Sequence, residues 1–340
     1  MKRSIRLAVL ALVAVGVLAL AGNAFAAYTK PKLTLTYGPN STRLVASSDV
    51  NEDSTAVASI ILPAGTTVTT SQAPGSTVGT VKAVVSALAL GGALLPLGGP
   101  IIVAPPGAIP AASQAACTQG APVTAAWILQ LELAGQKINL PAYVMPTSGA
   151  EAGVGPVKVV FCLAPPDIPV DKGGAANGAK FVSADLTING VFSQVSQGGA
   201  VAFWTPWQAA NGQLNLAGTV ASPAGIAPGS LSVKIAKVGL VKSKVSGKVA
   251  QGGAGFGGAR VEIWAGLTKT ALKRVATTST KADGSYAFTY GKKAAFFRAR
   301  TIVASSPAPA LCTKLQPALP VPCMNASLNG FTALSAIARR

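Results

Sequence analysis

Short stretches in which apolar and polar residues alternate recur through the first two thirds of the chain. In residues 32–37, for example, Leu33, Leu35 and Tyr37 alternate with two threonines. A period of two places successive side chains on opposite faces of a β-strand. Comparable stretches lie at residues 56–62, 127–133, 138–144, 157–163, 181–191, 200–205 and 213–220. Glycine and proline separate them, so the pattern predicts an all-β protein of many short strands.

A further alternating pattern occupies residues 242–303. It contains the pair Asp283-Gly284, after which Tyr286, Phe288 and Tyr290 fall on one face of a strand. Asp-Gly between strand-like segments is a strong hairpin signal, because type I′ turns need positive φ at both central residues. The pattern predicts a hairpin whose aromatic side chains face a core.

Three segments of this region, residues 245–249, 258–263 and 283–288, resemble the carboxypeptidase regulatory-like module. That family is a transthyretin-like or immunoglobulin-like β-sandwich, appended to secreted enzymes, adhesins and envelope proteins, and it has no catalytic residues of its own. Some of its members resemble starch-binding modules. Residues 27–230 resemble uncharacterised secreted actinobacterial proteins that pair such a region with this module. The resemblance implies a non-catalytic sandwich at residues 242–303.

The N-terminus indicates the compartment. Three basic residues precede an apolar run at residues 7–21, and the small-x-small pattern of residues 24–26 follows it. This is the pattern of a secretory signal peptide, with cleavage expected after Ala26. A retained membrane anchor is the weaker alternative, because the run is short for a span. The protein is expected to be secreted or associated with the cell envelope, as a monomer.

Composition and length predict two domains. A mature chain of about 314 residues exceeds the usual size of a single core. Residues 223–230 are rich in proline and glycine, which is typical of a linker. We therefore expect one β-sandwich at residues 27–222 and a second, basic one at residues 231–340.

Four cysteines in an exported chain predict two disulfides. Three pairings are open, and the one that joins Cys117 to Cys162 and Cys312 to Cys323 keeps each bridge within a single domain. A zinc site is disfavoured, because the chain has no C-x-x-C pair and no histidine. No metal or cofactor is expected.

Charged residues are distributed very unequally between the two predicted domains. Residues 27–230 contain eight basic and eight acidic residues, whereas residues 231–340 contain 17 basic residues and only Glu262 and Asp283 as acids. The net charges are 0 and +15. Such an asymmetry predicts a polyanionic partner, for example an envelope polymer or an anionic lipid head group.

The cations of the C-terminal region recur at alternate positions of predicted strands. If these strands lie in one sheet, the side chains line its outer surface. The alternative interpretation is that they keep the sheet soluble and block pairing at its edge. The predicted polyanion-binding residues are Lys242, Lys244, Lys248, Arg260, Arg298 and Arg300.

Tryptophan provides a rival binding chemistry, since indole faces stack on the apolar faces of sugars. Trp204 and Trp207 stand close together in the chain, and Trp264 shares an outward strand face with Arg260. We treat these three tryptophans as candidate carbohydrate-binding residues. For the first two, a half-buried sheet edge is the competing interpretation.

Two stretches have alternative interpretations. Residues 49–53 have the D-x-N-x-D spacing of calcium loops but lack the remaining EF-hand ligands, which favours a solvated acidic loop. Residues 83–104 carry no charge, yet their glycines and prolines favour buried strands over a membrane-active segment.

The absence of histidine excludes much enzyme chemistry, including Ser-His-Asp and Cys-His nucleophilic systems. A glycosidase needs only two carboxylates, but nothing in the sequence brings Glu132 and Asp185 together. The glycine-rich residues 252–258 lack the following helix and lysine of a phosphate-binding loop. We expect a binding or structural protein without enzyme activity, and without a specific nucleic-acid partner.

Overall fold

The computed structural model confirms that the protein is all-β, with 23 strands and one short α-helix in the described part of the chain. It describes residues 28–29, 31–38, 40–87, 90–133, 135–163, 179–194, 199–208, 212–251, 254–303, 311, 315, 319, 321–324 and 331–340. The predicted signal peptide, residues 1–26, lies outside these ranges. None of the helices within them is long and apolar enough to cross a membrane.

Thirteen strands and the helix lie between residues 32 and 228. They are β1 (Lys32–Tyr37), β2 (Ser41–Ser47), β3 (Thr55–Ile61), β4 (Thr66–Val68), β5 (Thr77–Ala87), β6 (Ala93–Val103), α1 (Ala111–Thr118), β7 (Ala125–Leu133), β8 (Gln136–Pro146), β9 (Val157–Cys162), β10 (Lys180–Asn189), β11 (Phe192–Gln194), β12 (Ala200–Pro206) and β13 (Val220–Pro228). The pair β4 and β11 forms a small separate sheet.

The other eleven strands form one sheet that closes into a barrel, in the order β1-β13-β12-β3-β9-β8-β7-β6-β5-β10-β2. The expectation of a two-sheet sandwich for residues 27–222 is therefore replaced by a single closed sheet. Alternation specifies one buried face for each strand, and a barrel satisfies that requirement as well as a sandwich does. The barrel core includes Leu35, Trp127 and Trp204, which are at most 1% exposed.

The barrel is closed by its first and last strands. β1 is antiparallel to β2 and parallel to β13. Its register with β13 runs from Thr34 opposite Gly225 to Tyr37 opposite Pro228. Residues 223–228, which the sequence indicated as a linker, are thus most of the closing strand. Their proline and glycine content hid a strand whose Ala224 and Ile226 are buried.

Two further segments of the barrel region, residues 83–104 and 213–220, were predicted to form strands. The prediction of strands in residues 83–104 is confirmed for residues 83–87 and 93–103, where β5 and β6 pair along their length. The strand predicted at residues 213–220 is wrong, because a 3-10 turn at Leu216–Gly218 lies in the middle of this range and only Val220 belongs to β13.

The remaining strands form a second unit, which we call the C-terminal unit. They are β14 (Ser230–Leu231), β15 (Lys234–Val238), β16 (Lys242–Gln251), β17 (Ala254–Gly255), β18 (Arg260–Gly266), β19 (Lys273–Ser279), β20 (Ser285–Tyr290), β21 (Phe296–Val303), β22 (Phe331–Leu334) and β23 (Ala338–Arg339). One sheet centres on β16, which pairs with β14, β15, β17 and β20; the other contains β19, β18, β21, β22 and β23.

The two sheets of the C-terminal unit share one apolar cluster. Val245 and Val249 come from the first sheet, and Val261, Ile263 and Phe297 come from the second; all five are fully buried. The aromatic residues of β20 also pack in this cluster, so the prediction that they face a core is confirmed.

The prediction that Asp283-Gly284 closes a β-hairpin is wrong, although these residues do form a turn. In it, Gly284 N donates to Lys281 O at 2.9 Å. However, this turn joins β19 of one sheet to β20 of the other, and only Gly284 has a positive φ, of 77°. A type I′ hairpin turn needs positive φ at both residues. The turn is therefore a crossover between the sheets.

The chain returns to the barrel before it ends. Leu311, Leu315 and Val321 pack on an outer barrel cluster, and Pro322 O accepts a hydrogen bond of 2.9 Å from Ala221 N. These residues were assigned from the sequence to the C-terminal domain at residues 231–340. They lie instead on the outside of the barrel, because their apolar side chains find a complementary apolar surface there.

The predicted bridge between Cys117 and Cys162 is confirmed, with the Cα atoms 6.0 Å apart, and it ties α1 to the end of β9. Cys323 is also disulfide-bonded. Its predicted partner, Cys312, lies outside the described residues, so that pairing stays a prediction.

A glycine comparison tests the crossover between the sheets. A Cβ at Gly284 would lie 2.2 Å from Val249 O, whereas a Cβ at Gly258, which has a similar φ of 73°, would meet no heavy atom within 4 Å. We expect Gly258→Ala to lower the free energy of unfolding by about 1 kcal/mol, the cost of left-handed backbone. Gly284→Ala should cost about 3 kcal/mol or more, since the backbone must also move. Equal losses in denaturant unfolding would contradict the contact.

Candidate functional site

The cations of β16 line the outer surface of the first sheet. Lys242, Lys244 and Lys248 are exposed, while Val245 and Val249, which directly follow Lys244 and Lys248, are fully buried. The alternation predicted from the sequence is therefore present. Because β16 is the central strand, these side chains stand on the face of the sheet and not along its edge.

The neighbouring strand adds a cation that the sequence analysis missed. Lys234 of β15 lies opposite Ser246, between Lys244 and Lys248, and it is exposed. The sequence pattern that could have identified Lys234 is the alternation of β15, in which the next residue, Ile235, packs toward the core. We define Lys234, Lys242, Lys244 and Lys248 as the lysine face.

The lysine face has little acidic compensation. None of the ion pairs among the described residues involves it. Of the two acids in residues 231–340, Glu262 lies in the opposite sheet. Asp283 lies near Lys248, and its pKa is lowered, first by hydrogen bonds from Ser285 and then by the charges of Lys281 and Lys248. The face therefore carries a net positive charge that is offset only in part, by Asp283 near Lys248.

The predicted arginines lie on the other sheet. Arg298 pairs with Trp264 across β18 and β21, and Arg300 pairs with Glu262. The expected single surface that combines these arginines with the lysines of β16 is therefore wrong. Alternation identifies which side chains share a strand face, but it does not tell which strands share a sheet. Arg260 is exposed at the far end of β18.

Glu262 organises the outer surface of this second sheet although it is only 3% exposed. Arg274 Nη1 lies 3.0 Å from its Oε1, Trp264 Nε1 donates to its Oε2 at 3.3 Å, and Arg300 Nη1 lies 3.9 Å away. Burial by itself raises the pKa of Glu262, but the hydrogen bonds and charges of these neighbours together lower it below its ordinary value. One carboxylate thus orients three side chains.

A cleft of about 490 Å³ opens beside this carboxylate. Its cations are Lys269, which the sequence analysis missed, and the two arginines of β21. The Nε atoms of Arg298 and Arg300 are buried and have no hydrogen-bond partner among the described residues. The lining residues are Trp264, Lys269, Thr270, Leu272, Arg298, Arg300 and Leu334. Three cations around an open volume are suited to an anionic group.

The three candidate tryptophans do not form one surface. Trp204 is fully buried in the barrel, where its Nε1 donates to Ser222 Oγ at 2.8 Å. Its face is therefore closed to a sugar, and the predicted platform with Trp207 does not exist. Trp207 is half-buried at the end of β12, and its Nε1 is buried. Trp264, half-buried in the cleft, is the one best placed to contact a ligand.

The cavity that the described residues enclose in the barrel is apolar. It has a volume of about 120 Å³, and its lining side chains include Leu97, Leu129 and Phe161. On its outer surface, Arg43 donates to both carboxylate oxygens of Asp185, at 2.6 and 2.8 Å, and the hydrogen bond to Arg43 lowers the Asp185 pKa. Two strands separate β10, which carries Asp185, from β7, which carries Glu132.

The acidic loop at residues 49–53 is held by its own hydrogen bonds. Glu52 is buried, and its carboxylate accepts from Thr29 N at 2.5 Å and from Asp49 N at 2.9 Å. Asp49 Oδ1 accepts from Asn51 N at 3.0 Å. Within the described residues, no group of three acidic, cysteine or histidine side chains is placed to hold a metal ion.

Comparison with known proteins assigns the chain to no family: no family model matches it, and no curated protein matches it. The resemblance of residues 242–303 to the carboxypeptidase regulatory-like module therefore stays a prediction.

Glu262 yields a pH prediction. Since its folded pKa lies below the unfolded value of about 4.3, its stabilising contribution is complete above that pH and is lost as the pH falls through the folded pKa. Glu262→Gln should lower the free energy of unfolding by about 2 kcal/mol at neutral pH and should remove this part of the acid dependence.

The control for this experiment is Glu132→Gln, which removes the same charge from an exposed barrel position. Denaturant unfolding of both variants between neutral and acidic pH is the measurement. A Glu262→Gln curve that runs parallel to the parent curve down to the lowest pH would contradict the ion-pair network.

Proposed function

We propose that the chain is an exported, non-enzymatic binding protein whose C-terminal unit docks electrostatically on a polyanionic surface of the cell envelope. The observation that carries the proposal is the lysine face, where four exposed cations stand on one sheet surface without ion-pair partners among the described residues. Export rests on the predicted signal peptide and agrees with the Cys117–Cys162 disulfide.

The spacing of the lysines supports a combined effect. Alternate residues of a strand are about 7 Å apart, and neighbouring strands are about 5 Å apart. Nearest neighbours within the lysine face are therefore about 7–8 Å apart, which is comparable to the Debye length of about 8 Å at physiological ionic strength, so each cation adds to the potential at the next. The whole face extends about 20 Å, from Lys242 to Lys248. A repeating anion, such as a phosphate-bearing polymer or a bilayer of anionic lipids, meets several of them at once.

The two-sheet arrangement of the C-terminal unit is compatible with the transthyretin-like or immunoglobulin-like sandwich that the sequence resemblance implies. The same resemblance implies a module that has no catalytic residues of its own. The absence of histidine from the whole sequence supports the same conclusion.

Removal of the lysine face tests the proposal. In the chain of residues 27–340, we expect Lys242→Ala, Lys244→Ala and Lys248→Ala together to weaken binding to soluble polyphosphate or teichoic acid by about 100-fold at low salt. The slope of log affinity against log salt concentration should also become shallower, because fewer counterions are released.

A control with the same loss of charge is available on the barrel. Lys32, Lys82 and Lys137 are exposed there, and their change to alanine should leave the affinity close to that of the parent. If the two triple variants lose affinity equally, binding depends on the overall charge of the protein and not on the lysine face. If the parent does not bind polyanions at low salt, the proposal is wrong and the lysines serve only solubility.

A second candidate function is carbohydrate binding in the cleft of the second sheet. The observation that favours it is the position of Trp264 in the same 490 Å³ volume as Lys269, Arg298 and Arg300. An indole face with adjacent cations suits a sugar that carries a carboxylate, sulfate or phosphate group. Trp204 supports no such role, because it is buried.

Substitution of Trp264 separates the two candidates. If the cleft binds an acidic sugar, Trp264→Ala should weaken binding to acidic oligosaccharides at least tenfold, and Trp264→Phe should restore part of the affinity, because a ring face remains. Calorimetric titration is the measurement. Unchanged affinity in Trp264→Ala would eliminate the cleft and leave the lysine face as the binding surface.

A further inference from the structure

The tip of the hairpin between β15 and β16 is apolar and projects into solvent. Leu240 is 96% exposed, Val241 is 46% exposed and Val238 is 43% exposed. Hairpin turns usually carry glycine, asparagine or aspartate. Here Gly239 provides the positive φ, of 69°, and leucine occupies the outermost position.

Two other connections reach the same end of the C-terminal unit. Ser243, at the start of β16, pairs with Tyr290 at the end of β20, so the loop at residues 291–295 begins beside the hairpin tip. That loop leads into Phe296, which pairs with Gly266. The turn after Gly266 therefore lies here as well, and it exposes Leu267 to 63%. We call this the distal end.

The distal end is held together by the last residue of the sequence. Arg340 Nη2 lies 3.0–3.2 Å from the carbonyl oxygens of Gly239, Leu240 and Lys242, and Arg340 N donates to Ala295 O at 2.9 Å. The hairpin tip is thus braced against the second sheet. Leu240 is presented on a fixed turn, so little ordering is needed before it binds.

The segments that strand pairing brings to the distal end are rich in cations. These are Lys237, Lys242, Lys269, Lys273, Lys292, Lys293, Arg339 and Arg340. The two acids of the C-terminal unit lie elsewhere: Glu262 is in the middle of β18, and Asp283 is in the crossover turn at the opposite end of the sheets. A single exposed leucine is ordinary, but two exposed leucines among eight cations and no acid form a specific pattern.

The barrel leaves the distal end accessible. β14 follows the closing barrel strand directly and pairs with Ala250 and Val249, at the end of β16 remote from Lys242. The ten residues of β16 extend about 30 Å, so the exposed leucines lie roughly that far from this junction.

We propose that the distal end docks on an anionic lipid bilayer, with Leu240 and Leu267 entering the interface while the surrounding lysines and arginines contact head-group phosphates. Apolar insertion combined with basic residues is what an anionic bilayer selects, and a dissolved polyanion offers nothing for the leucines to enter. This inference rests on the proposed electrostatic docking and names lipid as its partner.

The test compares two double variants of the chain of residues 27–340. Leu240→Ser with Leu267→Ser removes the distal leucines, and Leu94→Ser with Leu216→Ser removes two barrel leucines that are 57% and 55% exposed. Binding is measured to vesicles of phosphatidylcholine, to vesicles that also contain phosphatidylglycerol, and to soluble polyphosphate. All four positions are exposed, so folding should be retained, which circular dichroism checks.

We expect the parent to prefer the phosphatidylglycerol vesicles. The distal double variant should bind them at least about tenfold more weakly and should bind polyphosphate like the parent. The barrel double variant should match the parent throughout. Parental vesicle binding by the distal variant would overturn insertion, as would equal binding of the parent to neutral and anionic vesicles.

The outcomes also separate this inference from the proposed function. If the parent binds polyphosphate but no vesicles, electrostatic docking through the lysine face is retained and the lipid partner is wrong. If the parent binds neither, both the proposed function and the lipid docking are wrong. A positive readout is Leu240→Trp, whose added fluorescence should be quenched by brominated acyl chains. Leu216→Trp should give no added quenching, and equal quenching of the two would contradict insertion at the distal end.

Discussion

The structure depends on the parallel pairing of β1 with β13. It joins the first and last strands of residues 32–228, and without it the eleven-stranded sheet would have two open edges. It also fixes where the chain leaves the barrel. A Cβ at Gly229 would lie 1.9 Å from Tyr37 O, so the backbone passes directly over the end of β1 before β14 begins. The position of the C-terminal unit therefore follows from the closure of the barrel.

The two units differ in how they use charge. The barrel region is neutral, and ion pairs such as Arg43 with Asp185 and Lys158 with Glu151 compensate its cations. The C-terminal unit has only two acids, and the buried Glu262 engages Arg274 and Arg300 on one sheet. Asp283 offsets the lysine face only in part, and neither acid lies at the distal end. The electrostatic field of the protein is thus concentrated on the unit that stands away from the barrel.

Sequence reasoning succeeded where local pattern determines the outcome. Alternation located β1, β3 and the strands around Trp127, and the outward lysines of β16 followed from it. It failed where the answer depends on which strands pair. Nothing in residues 242–249 and 296–303 shows that they belong to different sheets, and the prolines of residues 223–228 concealed a closing strand. The distal end was missed for the same reason, because Leu240, Leu267 and Arg340 meet only once the sheets are assembled.

The central claim is that an anionic surface is bound by the C-terminal unit and not by the barrel. Amide hydrogen exchange of residues 27–340, with and without vesicles that contain phosphatidylglycerol, tests it most directly. The account predicts slower exchange on binding at residues 237–242, 267–273 and 291–295, with unchanged exchange in barrel turns such as residues 105–110 and 147–153. Protection confined to the barrel turns would contradict it.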